Sequence, residues 1–348
     1  MEKCPRCKEY AARGNKFCGV CGNSLRDIKQ WEFEPAPKET KRGFLYIVLL
    51  AVCAIVLAAA VFEVITLLVY APEVFDMLSG KVVGFFLLLP FPEIIFYLDD
   101  QLLQYYWVFV VVVITACAAY TLLKLIKAIR RSGDQAEQGT AENAAGFWVG
   151  VFLSAMFFIN IVTALLWTAV FGELTVPDFG SKIEQIFLLA DAAFWEEIVT
   201  RLLLIGVPMV IISLIVTKKK ESLKCLFGGF GMSMTAAVLI IISGAIFGMA
   251  HYSGWDDQAW KVITAGIMGV FLGYLFVRFG LYASILMHFV NNYLQSFDWM
   301  GFGEAGALFT LFLFGVGIIA LCYMIGRLFE YRGEGALPNF HNGYIKEK

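Results

Sequence analysis

Three short stretches of the chain place polar residues inside segments that are otherwise apolar. They read "EEIVTR", "FGMAH" and "HFVNN". The residues in them that could take part in chemistry or support it are Glu196, Glu197, Arg201, Phe247, His251, His288 and Asn292. A charge at the centre of a membrane helix costs about 2.5 to 3.5 kcal/mol on insertion scales. Such residues therefore need either a compensating partner or a function.

Helical spacing indicates how these side chains are arranged. Glu197 and Arg201 are four residues apart, as are His288 and Asn292, and residues with this spacing share one face of a helix. We expect Glu197 and Arg201 to form an ion pair along their own helix, which lowers the cost of burying both. Glu196 lies about 100° around that helix from Glu197 and can face inward.

A carboxylate, two imidazoles and an amide that converge in apolar surroundings can hydrolyse a peptide bond. The carboxylate can take a proton from water, and one histidine can hold that water. The other histidine and Asn292 can donate hydrogen bonds to a developing oxyanion. In a second interpretation, Glu196, His251 and His288 are ligands of a metal ion that activates the water, since His and carboxylate ligands suit zinc.

Two non-hydrolytic interpretations are also open on the residues alone. The polar groups can form an interhelical network that only fixes packing, as in a non-catalytic membrane scaffold or immunity protein. Alternatively, the chain is a proton-coupled transporter with Glu196 as the proton carrier.

The composition predicts a membrane protein. Of the 348 residues, 59% are hydrophobic and 16% are charged, whereas about a quarter of a soluble domain is charged. Several apolar runs reach the roughly 20 residues that a membrane helix needs. We therefore predict an all-α fold, a polytopic transmembrane helical bundle in contact with the lipid bilayer. The net charge of −2 gives no indication of nucleic-acid binding.

The apolar runs predict about eight membrane spans. They lie near 43–71, 103–126, 146–172, 184–217, 236–252, 262–279, 281–298 and 305–326. The stretch 81–98 contains two prolines and a glutamate, which favours an interfacial or re-entrant segment. With eight spans, the clusters of Lys and Arg beside the spans all lie on one side, which is typical of the cytoplasmic side. We expect an integral protein of a bacterial-type cytoplasmic membrane with both termini in the cytoplasm.

The spans lead to expectations about particular positions. The segment 184–217 is longer than the bilayer core, so it should break or kink near Gly206 and Pro208. His251 falls near the outer end of its span and His288 nearer the inner end of its own. A shared pocket then requires a tilted, broken or extended helix.

Three further polar residues receive structural interpretations. Asn291 should turn away from the helix face that carries His288 and Asn292. Asp191 is interpreted as an interfacial residue near the entrance, and Glu63 as a side chain that snorkels or pairs with a neighbour.

The N-terminal residues carry a separate pattern. Residues 1–25 contain two C-x-x-C pairs, which are formed by Cys4, Cys7, Cys18 and Cys21. Four thiolates at this spacing suit a tetrahedral zinc ion, and so short a segment has too small a core to fold without metal. We predict a small zinc ribbon, with a structural role or as a docking module for an unknown protein partner.

The composition divides the rest of the chain into four parts. They are a charged linker (26–42), N-terminal transmembrane helices with a cytoplasmic loop (43–144), a core that carries the polar stretches (145–326) and a cytoplasmic tail (327–348).

The three polar stretches resemble a known signature. "EEIVTR" fits E-E-x-x-x-R, "FGMAH" fits F-x-x-x-H and "HFVNN" fits H-x-x-x-N, in this order and on three separate predicted spans. The set resembles that of the CAAX-protease and bacteriocin-processing family of intramembrane proteases, which includes the type II CAAX prenyl endopeptidases. The resemblance covers roughly residues 145–326.

The resemblance implies an intramembrane endopeptidase that acts on a membrane-embedded or lipid-anchored, CAAX-like peptide or protein. It implies that Glu196 activates water and pairs with His251, and that His288 and Asn292 stabilise the oxyanion. Supporting roles are implied for Glu197, Arg201 and Phe247. The family is often called a metalloprotease. We favour the glutamate-and-water mechanism over a catalytic metal, because Asn292 is a poor zinc ligand and a good oxyanion donor.

Overall fold

A computed structural model describes residues 44–88, 91–133, 141–172, 174, 177–217, 220–255 and 258–333. The predicted zinc ribbon and the charged linker lie outside these residues, and so do Cys4, Cys7, Cys18 and Cys21. Zinc binding by the ribbon therefore stays a prediction.

The described residues form a polytopic helical bundle, as predicted. Seven helices are long and apolar enough to cross a membrane, and they cover Tyr46–Met77, Asp100–Ile129, Ala145–Phe171, Lys182–Val216, Met234–Tyr252, Ala259–Phe279 and Gly303–Arg327. The expected count of eight is corrected to seven candidate spans in the described part of the chain. The side of the membrane on which the termini lie stays a prediction.

The helices are numbered in chain order. They are α1 (Phe44–Met77), α2 (Asp100–Gly133), α3 (Ala145–Phe171), α4 (Lys182–Glu197), α5 (Val207–Thr217), α6 (Met234–Gly254), α7 (Ala259–Phe279), α8 (Leu281–Asn292), α9 (Ser296–Trp299) and α10 (Gly303–Gly333). Short 3-10 segments lie at Ala141–Asn143, Lys220–Phe227 and Tyr293–Gln295. Helix α10 continues beyond residue 326, so the predicted tail begins as helix.

The predicted span 281–298 is not one long helix. Helix α8 has 12 residues, which corresponds to about 18 Å of rise, against a bilayer core of about 30 Å. All residues from Ala283 to Val290 are buried. This helix is apolar because protein surrounds it, so hydropathy alone could not distinguish it from a full span.

The stretch 81–98, which was expected to be an interfacial or re-entrant segment, forms a β-hairpin in the otherwise all-α fold. Strand β1 (Val82–Leu88) pairs with β2 (Pro92–Asp99) in antiparallel register. The indole N–H of Trp195 on α4 donates to the carbonyl oxygen of Phe86 at 2.9 Å. The rings of Phe85 and Trp195 also meet edge to face at 5.0 Å between centroids. The hairpin is thus attached to the residue that precedes Glu196.

The long segment 184–217 does not break at Gly206 and Pro208. Instead, α4 passes into a π-helical segment, Ile198–Gly206, which leads directly into α5. A π-helix bonds i to i+5 and is often found at functional sites. Pro208 lies in the first turn after this change, where its missing N–H is tolerated. The change in helix type therefore begins directly after the two glutamates.

Helices α6 and α7 pack against each other through glycines. A Cβ on Gly248 would lie 2.6 Å from the carbonyl oxygen of Val262, and one on Gly269 would lie 2.8 Å from the Cα of Gly244. Gly280, with φ of 115°, then reverses the chain from α7 into α8, a conformation that residues with a side chain rarely adopt. The contact of Gly248 with Val262 holds the end of α6 that carries His251 against the start of α7.

Candidate active site

The π-helical segment holds the predicted ion pair. Glu197 is the last residue of α4, and its Oε2 lies 3.2 Å from Nε of Arg201. Both side chains are fully buried. The guanidinium also donates to Oγ of Ser243 on α6 at 2.8 Å, and Ser243 in turn donates to the carbonyl oxygen of Thr200 at 2.7 Å. The expected intrahelical pair is present, and it also connects α6 to this segment.

Glu197 has a second partner that the sequence did not indicate. Its Oε1 lies 3.1 Å from Nδ1 of His288 on α8. Because a carboxylate only accepts, Nδ1 carries the hydrogen of this bond. Glu197 therefore fixes the tautomer and the orientation of His288, as second-sphere carboxylates commonly do for functional histidines.

The other nitrogen of His288 faces Glu196. Nε2 of His288 lies 3.7 Å from Oε2 of Glu196, which is too long for a hydrogen bond. The Glu196 side chain remains 17% exposed, whereas that of Glu197 is fully buried. One series of charged or polar groups in contact runs from Arg201 to Glu197, then to His288 and finally to Glu196. Glu196 is its accessible end.

His251 joins the site through Phe247. Its Nδ1 lies 2.8 Å from the carbonyl oxygen of Phe247, so Nδ1–H donates and Nε2 has a free lone pair. The Phe247 ring lies 4.6 Å from the His251 ring and 5.7 Å from the His288 ring, centroid to centroid. The guanidinium of Arg201 lies 5.1 Å from the same ring. Phe247 thus has a central packing position among the predicted residues.

These contacts change two expectations about His251. The sequence placed the two histidines at different depths, yet both pack on one phenylalanine ring. The sequence also paired Glu196 with His251. Among the described residues Glu196 lies within ion-pair distance of His288, and no such pair with His251 occurs. The reason is the short helix α8, which carries His288 between α4 and α6.

Asn292 lies one turn after His288 and contacts α4. Its Nδ2 donates to the carbonyl oxygen of Leu189 at 3.3 Å. Asn291, which was expected to turn away, donates to Oδ1 of Asn292 at 3.3 Å. Directly after them, the hydroxyl of Tyr293 donates to the carbonyl oxygen of Ile186 at 2.6 Å. The end of α8 is therefore attached to α4, and the Asn292 amide is engaged by the backbone.

Of two polar residues outside the signature, Glu63 differs from its expected role, and the interfacial position of Asp191 stays a prediction. Asp191 is half-buried and accepts a hydrogen bond from the hydroxyl of Tyr106 on α2. Glu63 neither snorkels nor pairs: it is fully buried on α1, and within the described part of the chain neither carboxylate oxygen has a hydrogen-bond partner.

Lys261 and Ser243 are neighbours of the site that the sequence analysis did not single out. Lys261 on α7 interacts electrostatically with both Glu196 and His251. The one available signal was a lysine directly beside an apolar run, which the predicted boundary at 262 left outside the span. Ser243 carried no signal, because a serine in a membrane helix is common.

Histidine and glutamate side chains are also possible metal ligands. Within the described residues, no group of three or more His, Cys, Asp or Glu side chains has an arrangement that could hold a metal ion. The two glutamates have their closest contacts within the cluster with Arg201 and His288.

A comparison with known families agrees with the position of this site. Residues 181–294 match the family model described as "Type II CAAX prenyl endopeptidase Rce1-like". No curated protein and no solved structure matches the chain. The matched segment begins at the N-cap of α4 and ends just after α8, so it contains every signature residue. At the level of the family, the match supports an intramembrane endopeptidase.

Proposed function

We propose that the chain is an intramembrane endopeptidase that hydrolyses a peptide bond with water activated by Glu196. The observation that carries the proposal is the chain of charged and polar groups from Arg201 through Glu197 and His288 to Glu196, whose side chain is 17% exposed. The match of residues 181–294 to an endopeptidase family supports the same reading. Its substrate is a membrane-embedded or lipid-anchored peptide or protein, of the CAAX-like kind that the family description suggests.

In this mechanism Glu196 takes a proton from a water molecule, and the resulting hydroxide attacks the carbonyl carbon of the scissile bond. The free Nε2 of His251 accepts a hydrogen bond from the same water and orients it. The carboxylic acid of Glu196 then transfers its proton to the leaving amine as the C–N bond breaks. This step restores the carboxylate for the next cycle.

The oxyanion that forms on the carbonyl oxygen requires hydrogen-bond donors. To donate here, His288 must carry a hydrogen on both ring nitrogens. His288 then presents Nε2–H beside Glu196 while Glu197 holds Nδ1–H. Asn292 is the second donor, and its amide exchanges the Leu189 carbonyl for the substrate when the peptide enters.

A catalytic metal is the competing mechanism for the same reaction. If a metal activates the water, a chelator that strips it abolishes cleavage. The glutamate mechanism predicts that cleavage by purified protein persists after chelation and dialysis. This comparison separates the two without changing any residue.

A packing role without catalysis is the second candidate, and the full burial of Glu197 and Arg201 favours it. The two candidates differ at Glu196. Glu196→Gln keeps the size of the side chain and removes the base, so we expect cleavage to be lost while the protein remains folded. Glu73→Gln, an exposed position on α1, is the matched control.

The substrate is unidentified, so the first test is proteomic. Membrane peptides are compared between cells that express the wild type, Glu196→Gln or Glu73→Gln. Peptides produced by the wild type and by Glu73→Gln, but absent with Glu196→Gln, support the proposal and identify the substrate. Identical peptide sets in all three favour the packing role.

We also propose that Cys4, Cys7, Cys18 and Cys21 hold one zinc ion in a ribbon at residues 1–25. The spacing of the two C-x-x-C pairs supports this. The ribbon serves to dock a protein partner at the cytoplasmic side, where thiolates remain reduced.

A further inference from the structure

Lys261, near the start of α7, is held between two tryptophan rings. Its ammonium lies 3.8 Å from the ring centroid of Trp255 and 5.8 Å from that of Trp260. The two rings are nearly perpendicular, with centroids 5.7 Å apart. Contacts of this kind attract a cation to the face of the ring. Among the residues that the structure describes, no carboxylate lies within ion-pair distance of Lys261, so aromatic rings are its main observed contacts.

The packing of α6 against α7 places this cation beside the candidate active site. Gly248 meets the backbone of Val262 so closely that a Cβ would lie 2.6 Å from the Val262 carbonyl oxygen. His251 lies one turn beyond Gly248, and Lys261 directly precedes Val262. Lys261 accordingly interacts electrostatically with His251 and with Glu196.

A second donor lies next to the cation. Trp260 is nine-tenths buried, and its indole N–H has no hydrogen-bond partner within the described residues. A buried N–H without a partner is energetically unfavourable, so this group can gain from a ligand that accepts its hydrogen bond. An ammonium and an unpaired N–H in aromatic surroundings have the chemistry that a carboxylate requires, because a carboxylate only accepts hydrogen bonds.

We propose that Lys261, assisted by the N–H of Trp260, binds a carboxylate of the peptide substrate close to the scissile bond. This inference rests on the proposed endopeptidase function, since it assigns Lys261 a part in choosing the substrate. The carboxylate is either the C-terminus of the peptide or an acidic side chain. A C-terminal carboxylate bound here limits cleavage to bonds near the end of a chain.

The test uses full-length protein in lipid vesicles and matched peptides. The first pair has either a free C-terminal carboxylate or a C-terminal amide, and the second pair has either Asp or Asn on the leaving side. In one of the two pairs, we expect the wild type to cleave the peptide that has the carboxylate at least tenfold more efficiently than the neutral peptide, mainly through a lower KM. Whichever pair shows the difference identifies the source of the carboxylate.

In Lys261→Gln the ratio of acid to neutral cleavage falls to near one, and Lys261→Arg retains part of it. Trp260→Phe keeps the ring, removes the N–H and lowers the ratio to an intermediate value. Lys124→Gln is the control, because Lys124 also lies over a ring, that of Tyr120, at 5.2 Å, but on α2. An unchanged ratio in Lys261→Gln, or no acid preference in the wild type, overturns the proposal.

Binding separates this proposal from the catalytic one. Affinities of the same fluorescent peptides are measured with Glu196→Gln and with Glu196→Gln/Lys261→Gln. If the peptide with the carboxylate binds more tightly than the neutral peptide, and this difference is lost without Lys261, the carboxylate site is supported even if no cleavage is found. Equal affinities for acid and neutral peptides reject the site even if the wild type cleaves.

Discussion

Glu197 contacts Arg201 on its own helix at 3.2 Å and His288 on α8 at 3.1 Å. The first contact follows from spacing, because residues four apart share a helix face. The second joins residues that are 91 positions apart in the chain, and no local pattern contains that information. The sequence therefore indicated that Glu197 and Arg201 pair, but it could not indicate that His288 on α8 lies 3.7 Å from Glu196. The catalytic roles of the two histidines stay predictions.

The buried ion pair gives a first prediction about stability. Arg201→Met leaves Glu197 without its guanidinium inside the protein, which costs about 3 to 5 kcal/mol of unfolding free energy. We expect the double variant Arg201→Met/Glu197→Met to be more stable than the single variant. Arg327→Met is the control, since Arg327 pairs with Glu142 at a site where Arg327 is 43% exposed. Such a pair contributes about 1 kcal/mol or less.

Unfolding of the purified proteins in detergent measures these effects. A single variant as stable as the wild type would show that Arg201 does not compensate the charge of Glu197.

Glu63 presents the opposite case, a buried carboxyl group without a hydrogen-bond partner in the described residues. We expect Glu63→Met to raise the unfolding free energy by about 1 to 3 kcal/mol, because an unsatisfied polar group is removed. Glu73→Met, on an exposed face of the same helix, should change it by less than about 0.5 kcal/mol. Thermal unfolding compares the two, and a loss of stability in Glu63→Met contradicts this view.

At the scale of elements, hydropathy predicted the long helices well and the short ones poorly. The seven helices that can span a membrane correspond to seven of the eight predicted runs. Helix α8 looked like part of a span because most of its residues are apolar, yet it has 12 residues and is buried by protein. The periodicity of apolar residues does not predict the β-hairpin, which depends on strand pairing. It also does not predict the π-helical segment, in which the backbone hydrogen bonds shift by one residue.

The close approach of α6 and α7 gives a prediction at this scale. Gly248→Ala places a Cβ 2.6 Å from a backbone oxygen that cannot move aside. We expect a loss of about 1 to 3 kcal/mol in stability and a fall in cleavage, because His251 lies on the displaced end of α6. Gly315→Ala is the control, since no atom lies within 4 Å of its added Cβ. Wild-type stability and activity in Gly248→Ala would show that this helix contact does not position the site.

For the whole molecule, composition alone indicated a membrane protein, and the helical bundle agrees. The orientation of the termini and the ribbon remain predictions from charge distribution and cysteine spacing. The predicted zinc ribbon at the N-terminal end can be tested directly by metal analysis.

We expect about one zinc ion per purified chain, and we expect it to be lost in a variant with all four of Cys4, Cys7, Cys18 and Cys21 changed to Ser. The membrane part should keep its thermal unfolding transition, because its described residues form their own core. Zinc that survives loss of the four thiols would place the metal at the Glu196 and His288 site instead.

The central claim is that Glu196 activates water within a site built from three helices. The most direct measurement is cleavage of an identified membrane peptide by purified protein in vesicles made with H2¹⁸O. The account predicts that the wild type and Glu73→Gln produce fragments whose new carboxyl end carries ¹⁸O, and that Glu196→Gln produces none while unfolding like the wild type. Cleavage by folded Glu196→Gln at the wild-type rate would contradict it.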